Sequence, residues 1–131
     1  MSDEFYARPM FRVRDVERAV AYYCERLGFA RDWDSGDDRP VMAQVGRNGL
    51  DVILASRSVT PRAGVPAVLC LSLHEPGNLE ALQREFEDRG ARIVATCFEV
   101  AWQEGTLQLE VEDLDGNVLI FWGERRDPRP A

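Results

Sequence analysis

One arrangement is written twice along this chain, and that repetition limits the folds open to it more than any other feature. Residues 8–13 read as a strand, Asp15 as a polar joint, 16–27 as an amphipathic helix and Gly28 as its stop. The second half repeats the order with a strand over 68–73, a joint at Asn78, a helix over 79–89 and Gly90. Each helix is followed by strand-like runs, the last of them preceded by a turn pair: Asn48-Gly49 in the first half, Asp115-Gly116 in the second. The expectation is an α+β fold of two βαβββ modules. Their curved mixed sheets would surround a concave cavity, with the helices on the outer face. Module one is placed at about 1–57 and module two at about 67–124. A linker over 58–66 holds Pro61, Gly64 and Pro66, and a loose polar tail covers 125–131.

The local signals agree with this division. Asp15 is a good N-cap, and Val16, Ala19, Val20, Tyr23 and Leu27 recur at helical spacing. Leu79, Leu82 and Phe86 give the second helix its apolar stripe, with Asn78 as the expected cap. Gly28 and Gly90 stand where a left-handed C-cap residue belongs. Asn48-Gly49 suits a tight hairpin because both residues tolerate positive φ. Period two then divides the strands into faces. Pro9, Phe11 and Val13, Leu69, Leu71 and Leu73, Leu107, Leu109 and Val111, and Leu119 and Phe121 should pack under the helices. The opposite, mixed faces carry Arg8, Met10 and Arg12, then Cys70, then Gln108 and Glu110, then Ile120 and Trp122. A wall of mixed apolar and polar side chains is characteristic of small-molecule sites.

Composition removes several classes of function. The chain has 131 residues and a net charge of −7, which opposes generic nucleic-acid binding and permits a cationic ligand. No apolar run approaches the ~20 residues that span a bilayer, and acids at Asp3 and Glu4 stand where an export signal would be apolar. Three cysteines at scattered spacing (Cys24, Cys70, Cys97) fit free thiols in a reducing cytoplasm.

Two segments carry a family resemblance. The first is Phe11-Arg12-Val13-Arg14-Asp15-Val16 with Ala19-Val20-Ala21-Tyr22-Tyr23 and then Leu27-Gly28-Phe29; the second runs from Val111 through Glu112-Asp113-Leu114-Asp115-Gly116-Asn117 to Phe121. Together, at their proper distance, they resemble the glyoxalase, bleomycin-resistance and extradiol-dioxygenase superfamily, the vicinal oxygen chelate fold. Leu114 departs from the proline usual there. The resemblance covers nearly the whole chain and implies paired βαβββ modules. In the superfamily's enzymes it also implies a divalent metal held by His, Glu or Gln near the start of a module's first strand and on its last. The matching positions here are Arg8, Ile53, Val68 and Ile120. Arginine is a permanent cation and the other three have no donor atom. No metal and no other cofactor is therefore expected. The character is closest to the metal-free bleomycin-resistance-like members, which are acidic homodimers with ligand crevices between subunits.

On this reading the chain is a metal-independent binding protein that sequesters an aromatic or cationic ligand, an antibiotic among the candidates, at a homodimer interface. The alternative is a divergent enzyme (a lyase, isomerase or dioxygenase) acting on a small metabolite, with Arg8, Glu110 or His74 doing acid-base or electrophilic work. The candidate ligand-binding residues are Arg8, Met10, Arg12, Trp33, Asp51, Cys70, Phe98, Trp102, Glu110 and Trp122. The aromatic ones offer stacking surfaces, Glu110 and Asp51 meet a cation, and the arginines meet an anion. Plainer roles stand beside these. Phe98 is expected equally as core, Trp122 as interface, and Arg8 paired with Glu110 as a cross-sheet tie. His74, the single histidine, reads as a surface residue. The acidic run Asp32, Asp34, Asp37 and Asp38 lacks the spacing of a calcium loop and reads as a solvated hairpin.

Overall fold

The computed structural model describes residues 3–61 and 66–126. Part of the expected linker (62–65) and most of the expected tail (127–131) lie outside the described residues. The element order is β1 (Met10–Arg12), α1 (Val16–Leu27), β2 (Ala30–Asp34), β3 (Met42–Arg47), β4 (Leu50–Ala55), β5 (Val68–Ser72), α2 (Asn78–Arg89), β6 (Arg92–Glu99), β7 (Thr106–Glu112) and β8 (Val118–Glu124). This is the duplicated β-α-β-β-β order. Each module forms one mixed four-stranded sheet, β1-β4-β3-β2 and β5-β8-β7-β6, with the first and last strands parallel and the others antiparallel.

The register makes the duplication quantitative. Met10 lies opposite Ile53 and Cys70 opposite Ile120, each isoleucine four residues beyond its hairpin glycine. The two hairpins turn at Gly49 and Gly116. Asn48 and Gly49 are both left-handed, as a two-residue twisted hairpin requires. Gly28 and Gly90 close the two helices with the same φ of 74°. Two local expectations change. The first strand is shorter than 8–13, although Pro9 still accepts from Ile53 N and Val13 N donates to Ala55 O. Asn78 is inside α2 rather than its cap: Gly77 takes that place at φ 86° with no side-chain cap, because the chain enters the helix in a left-handed turn that asparagine is not needed to make.

The apolar faces assigned by alternation form one core. Phe11, Val13, Leu107, Leu109, Val111, Leu119 and Phe121 are buried with Val20, Tyr23, Leu27, Leu79 and Phe86 from the helices. The helices touch each other, while no strand of one sheet approaches a strand of the other. One chain joins its modules through its helices and the Asp113–Asn117 turn, and its two sheets do not pack on each other.

Two sets of bonds lock the modules together. At one end, the helix C-termini exchange arginines. Arg26 of α1 donates to Arg89 O at 2.9 Å, and Arg89 of α2 donates to Glu25 O at 3.2 Å, so each satisfies a carbonyl the other helix leaves open. Arg47 adds a bond to Leu27 O at 2.7 Å and a bidentate pair with Glu85 at 2.7 and 2.8 Å. At the other end the second hairpin docks on α1. Tyr22 Oη donates to Glu112 O and accepts from Arg92 N, both at 2.8 Å. Tyr23 Oη donates to Asp113 Oδ2 at 3.0 Å. Burial holds the Tyr23 phenol well above its usual range, with the Asp113 charge adding to the effect, so it stays a neutral donor. Tyr23→Phe keeps the ring and its edge contact to Phe29 and removes only this bond. It is expected to lower stability by about 1–2 kcal/mol in urea denaturation.

Candidate functional site

The faces turned away from the helices carry the residues singled out from the sequence, gathered into one group per sheet. On the second sheet, cross-strand register aligns Ser72, Trp122, Gln108 and Phe98 in one row, with Cys70, Ile120 and Glu110 in the next. Trp102, from the loop before β7, packs edge-to-face on Trp122 at 5.7 Å between ring centres. Trp122 Nε1 donates to Gln108 Oε1 at 2.7 Å, and Gln108 Nε2 donates to Glu110 Oε2 at 3.0 Å. The indole and the carboxylate are thus fixed relative to each other through one glutamine. Phe98 is 42% exposed and Trp102 63%. Phe98 is therefore a surface aromatic rather than core, because alternation along β6 turns Val94, Thr96 and Phe98 outward while Ile93, Ala95 and Cys97 face inward.

On the first sheet the matching row is Met10, Ile53, Gln44 and Trp33. Arg8 Nη1 donates to Gln44 Oε1 at 3.1 Å, and Gln44 Nε2 donates to Asp32 Oδ2 at 2.7 Å. Gln44 is buried and both ends of its amide are satisfied, as a buried polar group requires. Asp51 lies on the same face two residues before Ile53, and Arg12 reaches toward the linker, donating to Pro61 O at 3.4 Å. The Arg8–Glu110 tie does not form within the chain: each side chain is bonded to a glutamine of its own sheet. The same separation keeps Arg8 and Glu110 from sharing a substrate atom in one chain. His74 is exposed beyond the end of β5.

The two glutamines are absent from the candidates read from the sequence, which placed Gln108 on the mixed face without a role and did not single out Gln44. Each occupies the mixed face of the strand preceding the last in its module. The signal was their place in the alternation, an uncharged polar residue between groups of opposite character. The acidic run is largely accounted for by ordinary contacts. Asp34 accepts from Arg31 at 2.7 Å and from Gly36 N at 2.7 Å, and Arg31 also bridges to Glu17. Bonding to Arg31 is what lowers the Asp34 and Glu17 carboxyls below their usual range.

The donor set does not fit a divalent ion at the superfamily position. Arg8 lies two residues before the Met10–Ile53 pair, and Val68 two residues before the Cys70–Ile120 pair, so the four positions are equivalent in the two modules. They present one guanidinium and three hydrocarbon side chains. Among the described residues of one chain, no group of three or more His, Cys, Asp or Glu comes together.

Comparison with known proteins places the fold. The model of the Glyoxalase/Bleomycin resistance protein/Dioxygenase superfamily matches residues 6–121, and the chain belongs to that superfamily. Among solved structures it is similar to TioX from Micromonospora sp. ML1, with 16% identity, a TM-score of 0.74, and 91% of this chain and 99% of that one covered. A glyoxalase/bleomycin resistance protein/dioxygenase from Nocardioides gives 13% identity, a TM-score of 0.73, and coverage of 100% and 90%. A superfamily member from Sphaerobacter thermophilus DSM 20745 gives 21% identity, a TM-score of 0.72, and coverage of 93% and 98%. At these identities the likeness is one of fold. No curated protein matches the chain. No helix among the described residues is long and apolar enough to cross a membrane.

Proposed function

We propose that the chain is a metal-independent binding protein of the bleomycin-resistance type. It would sequester a flat aromatic or cationic small molecule, an antibiotic among the candidates, between the exposed sheet faces of a cytoplasmic homodimer. The observation that carries this reading is the Trp102–Trp122 pair beside Phe98, tied through Gln108 to Glu110. A stacking surface with one carboxylate held at its edge recognises a planar cation by dispersion and charge together. Arg8, Met10, Arg12, Trp33 and Asp51 of the first sheet would supply the opposite wall from a second copy, and Cys70 a small neighbour beside Ile120. Dimerisation is supported by the apolar side chains one chain leaves open on these faces, Val68, Val94 and Phe98 among them.

The test is a fluorescence titration with a panel of heterocyclic and cationic aromatic compounds, bleomycin included, against the three tryptophans Trp33, Trp102 and Trp122. A saturable response is expected, weakened about tenfold by Trp122→Ala, roughly the loss of one aromatic stacking partner. Glu110→Gln should weaken cationic members selectively. Absence of any response across the panel would refute the binding reading. Sedimentation reads the dimer independently.

A further inference from the structure

The duplication creates two equivalent junctions, each where the last hairpin of one module meets the helix of the other, and they are filled differently. At the first, the Asp113–Asn117 turn meets α1. Its lining residues Phe11, Val13, Ala19, Val20, Tyr23 and Asn117 are all buried. At the second, the Asn48-Gly49 turn meets α2. The register and the helix caps give the equivalents as Leu71, Leu73, Ala81, Leu82, Glu85 and Leu50. None of these is fully buried. Tyr23, which fills the first junction, corresponds to Glu85, and Asp113 corresponds to Gly46. The ring and the carboxylate that close one junction are missing from the other. In their place is a cleft of about 330 Å³ whose deeper wall includes Phe29, Phe86 and Phe121.

We infer that this second junction is a binding site for a small, neutral, mainly apolar molecule with an aromatic ring, separate from the sheet faces. The volume lies at the lower end of the range for small-molecule sites. Its walls are leucine and phenylalanine. Neutrality follows from the rim. Arg47 is spent on Glu85 and Leu27 O, and Glu85 is also held by Arg89 at 2.8 Å. Neither charge is left for an ionic guest, and bonding to Arg47 holds the Glu85 carboxyl below its usual range, so it remains ionised and paired. Asn48 and Asn78 at the margin offer a hydrogen bond to a hydroxyl or carbonyl on the guest.

Benzyl alcohol, an aromatic ring with one hydroxyl, is the probe. Titrated into protein with isotope-labelled leucine methyls, it should shift Leu50, Leu71, Leu73 and Leu82 saturably at millimolar concentration. Ala81→Phe puts a ring into the cleft from an exposed helix position and should weaken these shifts at least tenfold without loss of fold. Leu82→Met, which keeps the cleft's volume, should bind like the parent. Trp122→Ala should leave the shifts unchanged, which separates this site from the sheet-face site whichever of the two fails. The inference is overturned if the methyls show no saturable shift, or if Ala81→Phe leaves the shifts intact. It is also overturned if the methyls respond to protein concentration instead of benzyl alcohol, which would mean that a second copy covers the cleft.

Discussion

Replacing Asp113 by alanine is expected to cost roughly 3–4 kcal/mol, a large share of the ~5–15 kcal/mol that holds a domain of this kind folded. The carboxylate is buried and accepts from Asp115 N at 2.8 Å, Asn117 N at 3.0 Å, Asn117 Nδ2 at 3.0 Å and Tyr23 Oη at 3.0 Å. Alanine removes all four bonds at once and leaves the Tyr23 hydroxyl and Asn117 N without a partner where both residues are fully buried. The damage also spreads through Asn117, whose Oδ1 accepts from Ala67 N at 2.9 Å and whose Nδ2 donates to Arg12 O at 3.3 Å, joining the start of β5 to the end of β1. The measurement is the urea midpoint, with an unchanged slope showing that the same surface is exposed on unfolding. The pH dependence has a definite sign. Burial raises the Asp113 carboxyl above its ordinary range, and its hydrogen bonds offset only part of that. A raised folded-state value favours the native state below the ordinary aspartate range and loses that contribution as pH rises through the raised value. The stability gap between the parent and Asp113→Ala should therefore narrow from acid toward neutral pH.

Gly28→Ala is the second effect, at about 1–2 kcal/mol. Part is conformational, since φ is 74° and a side chain there is strained. The rest comes from Arg47. An added Cβ would sit 2.5 Å from Arg47 Nη1 and 2.9 Å from Glu85 Oε2, the far ends of two flexible side chains, so both must shift to make room. The bond to Leu27 O and the pair with Glu85 are weakened as they move. Gly49→Ala is the control. It has φ 86° with nothing within 4 Å of the added atom, and should lose only the conformational part, about 1 kcal/mol. Equal losses at the two positions would show that Arg47 contributes nothing to the junction.

The fold was legible because each module repeats local rules that do not depend on distant contacts. Asp15 caps α1, accepting from Arg18 N at 3.1 Å, Gly28 and Gly90 end the helices, and alternation divides the strands. The site was legible only sheet by sheet. Cys70, Glu110 and Trp122 share a face because period two puts them there. Which sheet meets which, and that Arg8 reaches Gln44 rather than Glu110, depends on how the modules pack, and no local pattern encodes that. The Asp113–Asn117 motif was legible as a family signature. Its physical work, tying three strands and a helix with one buried carboxylate and one amide, became visible only when Tyr23, ninety positions away, came within reach of it.

The exchange of arginines between the helix ends bears on how far one module can move against the other. A hinge that swung one module against the other would have to break both arginine bonds at once and hand Arg89 O and Glu25 O to water. The pair braces the modules against such a swing, so under the proposed binding role any adaptation to differently shaped ligands would fall to rotamers on the sheet faces.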